Sequence, residues 1–469
     1  MTTSVQFFGA AQMVTGSKHL ITTHLGKKIL LDCGLFQGVG KESEALNQLW
    51  GFDPSSIDYV ILSHAHIDHT GLLPKLVKDG FVGKIFSNDA THDLCEIMLA
   101  DAAHIQSSDV KFVNKYRAKK GKLPIVPLFD IEDVENTLTK FIEVPMKKWY
   151  EIDPEISVLL TDTAHILGSA AINLKIRDGN SFKNIAYTGD IGRPEDKILF
   201  GPSAFPQADY IICESTYGNR LHPPKEAVEE KLLKIVKSTC VEKKGKLIIP
   251  AFSIDRTQEL VYALDRLSHE GKLPEIKVYV DSPLSSKATA VMNRHRDYFN
   301  KDILNYISKD GDPFSFPNLI YTGSVEDSKA INELNESCII ISASGMAEAG
   351  RIKHHIKNNI QDSKNTVLLV GYATPSSLAG QLKAGYETVK IFWDEYPVKC
   401  EVAVMDNFSA HADYDEMIDF LACQNPSAVK KMILVHGDYE VQQDFALKLN
   451  EKGFMNIDIP ELGQEIILN

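Results

Sequence analysis

Ten residues constrain the fold of this chain more than any others. LSHAHIDHTG, Leu62 to Gly71, sets His64, His66, Asp68 and His69 within six residues, directly after the apolar run DYVI. The apolar run reads as a strand and the polar stretch as the loop and turn that follow it. His64 and His66, two apart in extended chain, can reach one point, while Asp68 and His69 in the turn face a neighbouring one. Packing has no use for three imidazoles around a carboxylate, whereas two adjacent metal ions need that ligand set. A catalytic metal of this kind takes about three nitrogen or oxygen side-chain ligands. The fold must therefore bring further ligands to this strand end from distant parts of the chain.

The chain offers them in matching contexts. His165 follows the apolar run of LLTDTAHILGSA, Asp190 that of IAYTGDIG, and His436 that of MILVHGDYE. A carboxylate such as Asp190 can bridge two metals with its two oxygens. Asp32, in LLDCG, also ends a strand and suits a hydrogen-bond acceptor behind a ligand imidazole. Taken singly, His165 or His436 reads more naturally as a hydrogen-bonded loop residue. The run at 64–69 is what draws them together.

Composition excludes several classes. At 469 residues, two domains are expected, and 24% charged residues with no biased tract describe an ordinary globular chain. The formal net charge of −13 argues against indiscriminate nucleic-acid binding, although a metal site adds local positive charge. The first residues, MTTSVQFFGAAQMVTG, lack a basic stretch followed by a long apolar one, so no signal peptide is expected. No apolar run approaches the roughly 18–20 residues that span a bilayer. Seven scattered cysteines without a CxxC pair read as reduced thiols of a cytoplasmic enzyme, which leaves no cysteine-built zinc site.

Along the chain, residues 1–208 alternate short strand-like runs with Gly- and Asp-containing turns, and DATHDLCEIMLADAAHIQ (89–106) has helical spacing. From 209 to 395 come compact apolar runs, YIICEST, KLIIPAF, KVYVDSP, CIIISASG and TVLLVGYA. Helical segments such as RTQELVYALDRLSHEG lie between them. Apolar strands alternating with helices predict a mainly parallel sheet covered on both faces. Residues 396–469 return to the first texture and are expected to complete the first domain, which makes 209–395 an insertion.

The pattern HxHxDH, with a later His after a strand and a TGD aspartate, resembles the metallo-β-lactamase superfamily. The resemblance implies an α/β fold, the αββα sandwich, with metals at the edge of two sheets. By position, His64, His66 and His165 would hold one zinc and Asp68, His69 and His436 a second, with Asp190 bridging and Asp32 behind them. The segments CESTYGNR, PAFSIDRTQELVYAL, VDSPLSSKAT, SASGMAEAGRIKHH, NFSAHAD and VHGD further resemble the β-CASP family of nucleic-acid nucleases, with its inserted α/β domain of mainly parallel sheet. Its signature positions fall on Glu214, His411 and His436. RNA-processing members carry His where DNA-repair members resembling Artemis have an apolar residue, so His436 favours RNA. The chain is most similar to the cleavage and polyadenylation endonuclease group and its prokaryotic relatives. The catalytic core alone is expected, with neither a ribonuclease J-type C-terminal domain nor a KH module.

The resemblance thus implies a zinc-dependent ribonuclease with two Zn2+ per chain. Asp68 belongs to its catalytic set, His411 is the candidate general acid, and Glu214 orients it. RNA is the expected partner, a homodimer a candidate assembly, and no membrane is involved. For the RNA strand, Ser342, Ser344 and Gly345 could offer donors to a phosphate, as could His354 and His355 or the serines Ser376 and Ser377. Arg256 is either an ion-pair partner or a phosphate contact. Where many relatives carry a GYxxxGTxGR-type segment, this chain reads GYATPSSLAGQL (371–382) and has no Arg there. The run KFVNKYRAKKGK (111–122), six Lys/Arg among twelve residues, is either a solvated face or an RNA-tracking patch. The alternatives are a thioester or lactam hydrolase, a DNA-directed nuclease and an RNA-binding scaffold.

Overall fold

The computed structural model describes residues 2–38, 41–222, 228–371, 373–405 and 410–469. Residues 407–409 of the NFSAHAD segment and residue 372 of GYATPSSLAGQL lie outside them, as do residues 225–227. The described residues form two compact units. The first gathers Met1–Asp196, Phe200–Leu221 and His411–Asn469; the second gathers Lys197–Leu199 and His222–Ala410.

The first unit holds, among the described residues, two seven-stranded sheets. One begins with antiparallel strands Glu465–Ile467, Ser4–Gly9, Lys18–Thr22 and Lys28–Leu31 and continues in parallel through Tyr59–Ile61, Lys84–Ser87 and Phe141–Glu143. The other runs antiparallel through Tyr150–Asp153, Ile156–Asp162, Ala170–Asp178 and Ser181–Tyr187. It then continues in parallel through Tyr210–Glu214, Lys431–Val435 and Ile457–Asp458. Strand periodicity explains how they stack. Phe7, Ile21, Leu31 and Ile61 of one sheet share a core with Val158, Ile172, Ile212 and Ile433 of the other. The alternate residues Ile211, Cys213, Met432 and Leu434 face the opposite way and pack on Met417, Leu421, Phe445 and Leu449 of helices Tyr414–Leu421 and Tyr439–Glu451. Both faces are buried, which is why these strands read as unbroken apolar runs. This is the αββα sandwich expected from the sequence.

The second unit is built on six strands in the spatial order Leu319–Tyr321, Lys277–Val280, Cys338–Ser342, Leu247–Pro250, Thr366–Leu369 and Glu401–Val404, every neighbouring pair parallel. Helices Arg256–His269, Pro283–Arg294 and Ile352–Asn359 fall in the crossovers. Ile248, Ile340 and Val367 pack on Ile352, Ile356 and Leu378, while Leu247, Ile249 and Ile341 are equally buried on the other face.

The unit boundaries differ from the expected 208/209 and 395/396. YIICE is a strand of the first unit, hydrogen-bonded between Ser181–Tyr187 and Lys431–Val435, so the first boundary falls after Leu221. Glu401–Val404 pairs with Thr366–Leu369 and belongs to the second unit, which therefore runs to Ala410. A doubly buried strand carries the same apolar signature in either sheet. Composition alone could not assign these two.

Candidate metal centre

Four of the ligand candidates directly follow strands of the first unit. His64 follows Tyr59–Ile61, His165 follows Ile156–Asp162, Asp190 follows Ser181–Tyr187 and His436 follows Lys431–Val435. Asp68 and His69 lie in the one-turn helix Ile67–Thr70. Two positions hold strained backbone: Asp32 and His436 have φ of 58° and 53°, a region that non-glycine residues rarely occupy and that costs about 1 kcal/mol or more. Main-chain bonds hold the loops together. Cys33 N–H donates to His69 O at 2.7 Å, Ser17 N–H to Asp68 O at 2.8 Å, and His436 N–H to Ala10 O at 2.7 Å.

The side chains converge in two groups. His64 Nε2 and His165 Nε2 each stand 3.1 Å from His66 Nδ1. Tetrahedral ligands about 2.0–2.1 Å from a zinc would be roughly 3.3–3.4 Å apart, so these three nitrogens fit one ion. Beside them Asp68, His69 and His436 form a second group whose ligand atoms lie within 4.8 Å of one another. Asp190 faces both. Its Oδ2 is 3.6 Å from His64 Nε2 and 3.4 Å from His165 Nε2, and its Oδ1 is 3.3 Å from His69 Nε2. That Oδ1 is buried with no hydrogen-bond partner. A carboxylate oxygen left this way costs several kcal/mol unless a cation satisfies it, and Asp190 lies within reach of both groups.

Behind the ligands lies a hydrogen-bond frame. Asp32 Oδ2 accepts from Ser63 Oγ at 2.7 Å and Tyr187 Oη at 2.8 Å, and it lies 2.7 Å from His69 Nδ1. Since Ser63 donates to Asp32, its oxygen accepts from His64 Nδ1 at 3.0 Å. Both imidazoles are thereby held with Nδ1 protonated and Nε2 turned to the centre. Thr216 Oγ1, donating to His436 O, takes His436 Nδ1 at 2.9 Å in the same way. Burial pushes His64 and His165 well below the ordinary histidine range and brings His66 to about 4, the neutral form that binds metal. Burial also opposes charge on Asp190, but His436, His69 and His64 around it hold its carboxyl well below the usual range. Ser63, Tyr187 and Thr216 were not foreseen, because a hydroxyl after or at the end of a strand carries no signal of its own.

His411 Nδ1 lies 3.1 and 3.2 Å from the two oxygens of Glu214, and its Nε2 is 3.9 Å from Asp190 Oδ2. Burial lowers the His411 imidazolium, but Glu214, then Asp190 and Asp68, raise it to about 9. Glu214 is itself fixed by Ile191 N–H at 2.5 Å and Thr216 N–H at 3.2 Å, so its oxygens are engaged by hydrogen bonds rather than offered to a metal. Ala412 N–H donates to Ile191 O at 2.8 Å and pins the loop in place. Asp68 and His411 keep 19% and 20% of their side-chain surface exposed, whereas His64, His165 and Asp190 keep 2% or less. Solvent and substrate therefore reach the centre on the Asp68–His411 side.

The residues expected to touch RNA lie in the second unit and divide. Ser342 is buried, its hydroxyl donating to Asp281 O at 2.8 Å. Ser377 caps helix Leu378–Lys383, accepting from Gly380 N–H at 3.1 Å and donating to Thr374 O at 2.7 Å. His355 is buried, 2.6 Å from Asp281 Oδ2. Arg256 pairs with Glu259 and is nearly covered, yet it lines one crevice with Phe252, Gly345 and Gly371. Ser344 is half-buried and Ser376 exposed.

Comparison with known proteins finds matches along most of the chain. Residues 19–237 match the metallo-beta-lactamase superfamily, 257–382 the Beta-Casp domain, and 395–460 a Zn-dependent metallo-hydrolase RNA specificity domain. The ribonuclease TTHA0252 of Thermus thermophilus is 34% identical over 433 residues, covering 92% of this chain and 93% of the relative. The transcription termination factor FttA of Methanocaldococcus jannaschii is 30% identical, covering 94% of this chain and 68% of the relative. A crystal structure of a protein of unknown function from Enterococcus faecalis superposes over the full length of both chains with a TM-score of 0.53 at 12% identity, a likeness of fold.

Proposed function

The chain belongs to the Beta-Casp family of the metallo-beta-lactamase superfamily, and from that premise we propose that it is a ribonuclease hydrolysing RNA phosphodiester bonds with two Zn2+ ions. The observation that carries this reading is the split carboxylate of Asp190 between two histidine groups, with the His411–Glu214 pair on the open side. His64 Nε2, His66 Nδ1 and His165 Nε2 would hold one ion, and Asp68, His69 and His436 the other, with Asp190 shared. Bound there, the metals supply positive charge for the phosphoryl oxygens and lower the pKa of water to about 7.

The remaining work falls to the chain's own side chains. His411, held protonated by Glu214, gives its Nε2 proton to the departing oxygen, and Glu214 fixes the ring that makes this transfer. Asp32 keeps His64 and His69 in the tautomer that presents Nε2. In the second unit, Arg256, Ser344, Gly345 and Ser376 are the candidate phosphate contacts. The choice of RNA draws support from His436, from the RNA specificity domain matched at 395–460, and from the ribonuclease relative. The seven cysteines are free thiols, which suits the cytoplasm as the compartment.

The test is incubation of the zinc-loaded protein with end-labelled RNA, free or blocked at its 5′ end. Fragments ending in 5′-phosphate and 3′-hydroxyl are expected. Intact RNA with wild type, Asp68→Ala and His411→Ala alike would end the reading.

A further inference from the structure

The helix Asp89–Lys119 runs for 31 residues, and its buried residues all lie in its first half. Its first turn is tied to the loop that carries His165. Asn88 Nδ2 donates to Gly168 O at 2.6 Å, Thr91 Oγ1 donates to the same carbonyl at 2.9 Å, and Asn88 caps Thr91 N–H. Its last buried residue is Ala103, so the sixteen residues from His104 onward are not held by any core. They are instead strapped to the returning chain by polar bonds. Asn114 both donates to Ile125 O and accepts from Ile125 N–H at 2.8 Å, Arg117 Nε donates to Leu123 O at 2.8 Å, and Gln106 accepts from Leu128 N–H at 3.2 Å. The helix is thus braced as an arm while it buries little.

We propose that this arm is a docking surface for single-stranded RNA, an inference that rests on the ribonuclease reading above. Helical spacing sorts its side chains into rows. Lys111, Lys115 and Lys119, four apart, form one row, and Phe112, Tyr116 and Lys120 form the next. Phe112 is 65% and Tyr116 59% exposed, and Lys120 Nζ lies 4.4 Å from the Tyr116 ring centroid. Aromatic faces beside a line of cations are what successive bases and phosphates of a single strand require.

Charge selects this partner. Six Lys/Arg cluster within residues 111–122 of a chain whose net charge is −13, and the proposed substrate is a polyanion. A membrane-binding helix would need a continuous apolar face, and here the aromatic row runs from Ser108 to Lys120, with Asp109 one turn before Phe112. Position adds a length rule. Lys111 lies 22 residues along the helix from Asp89, about 33 Å at 1.5 Å per residue. A stacked strand advancing about 3.4 Å per nucleotide covers that in roughly ten nucleotides. The arm therefore grips RNA well away from the bond being cut.

The experiment compares wild type with the triple variant Lys111→Ala, Lys115→Ala, Lys119→Ala and the double variant Phe112→Ala, Tyr116→Ala, using RNAs of 8 and 30 nucleotides. On the 30-mer both variants should raise KM at least tenfold. The triple variant should also flatten the dependence of log KM on log salt by roughly 2, at about 0.7 per lysine. On the 8-mer kcat/KM should be unchanged. An unchanged KM on the 30-mer overturns the proposal. So does a change confined to sedimentation, which would give the arm to a second copy of the chain, or a change confined to binding of anionic vesicles. If wild type cuts neither RNA, the ribonuclease reading fails, and the arm is judged by anisotropy of the bound, intact 30-mer under the same criteria.

Discussion

His411 and Glu214 carry the sharpest consequences at the scale of single residues. A general acid typically contributes about 10²–10⁴ in rate, so His411→Ala should lower kcat by that factor while metal content stays at its wild-type value. The acid works only when protonated. Glu214, the largest influence opposing burial, raises His411 to about 9; activity is therefore present below that value and lost as pH rises through it. Glu214→Gln removes the raising charge, so the alkaline limb of the pH–kcat profile should move to lower pH. An unmoved limb would assign the acid elsewhere. Asp32→Ala frees two imidazoles at once, and an orienting partner is worth about 10–100-fold in metal affinity; competition with a chelator measures the loss. The candidate ligands were legible because three histidines and an aspartate crowd into six residues after one apolar run. Glu214 and His411 were legible only through resemblance. Ser63, Tyr187 and Thr216 were not, since their role depends on which carboxylate or imidazole folding brings beside them.

Elements present these residues by pressing loops together where only glycine fits. A Cβ on Gly34 would stand 1.6 Å from Asp68 O, and one on Gly192 1.8 Å from Ala164 O. Both contacts are with backbone that carries ligands. Gly34→Ala or Gly192→Ala should therefore cost about 1–3 kcal/mol in stability and, unlike a core change elsewhere, lower the metal-to-protein ratio. Thermal unfolding and elemental analysis read the two effects. A stable variant with full metal content would show that these loops tolerate displacement. The apolar strands that carry the centre and the helix Arg256–His269 followed from periodicity, but the extent of the helix at 89–119 did not. Apolar spacing fades after Ala103, and what continues the helix is the absence of Gly or Pro before Gly121 together with helix-favouring Lys, Arg and Ala.

At the scale of the molecule, the αββα sandwich assembles its candidate centre from residues as far apart as Asp32 and His436, on strand ends and one short helix of one unit. Such a centre is also a clasp. Removing metal leaves the Asp190 carboxylate as a buried charge without its cations, so chelation should lower Tm by several degrees, more than a surface site would. Where the two units divide was poorly legible, because a doubly buried strand looks alike in either sheet. The most direct test of the two-metal account is single-turnover cleavage of end-labelled RNA by metal-free protein given zero, one and two equivalents of Zn2+. Cleavage is expected to be absent at zero and to become complete only with the second equivalent. Full cleavage without zinc, or intact RNA at two equivalents, would contradict it.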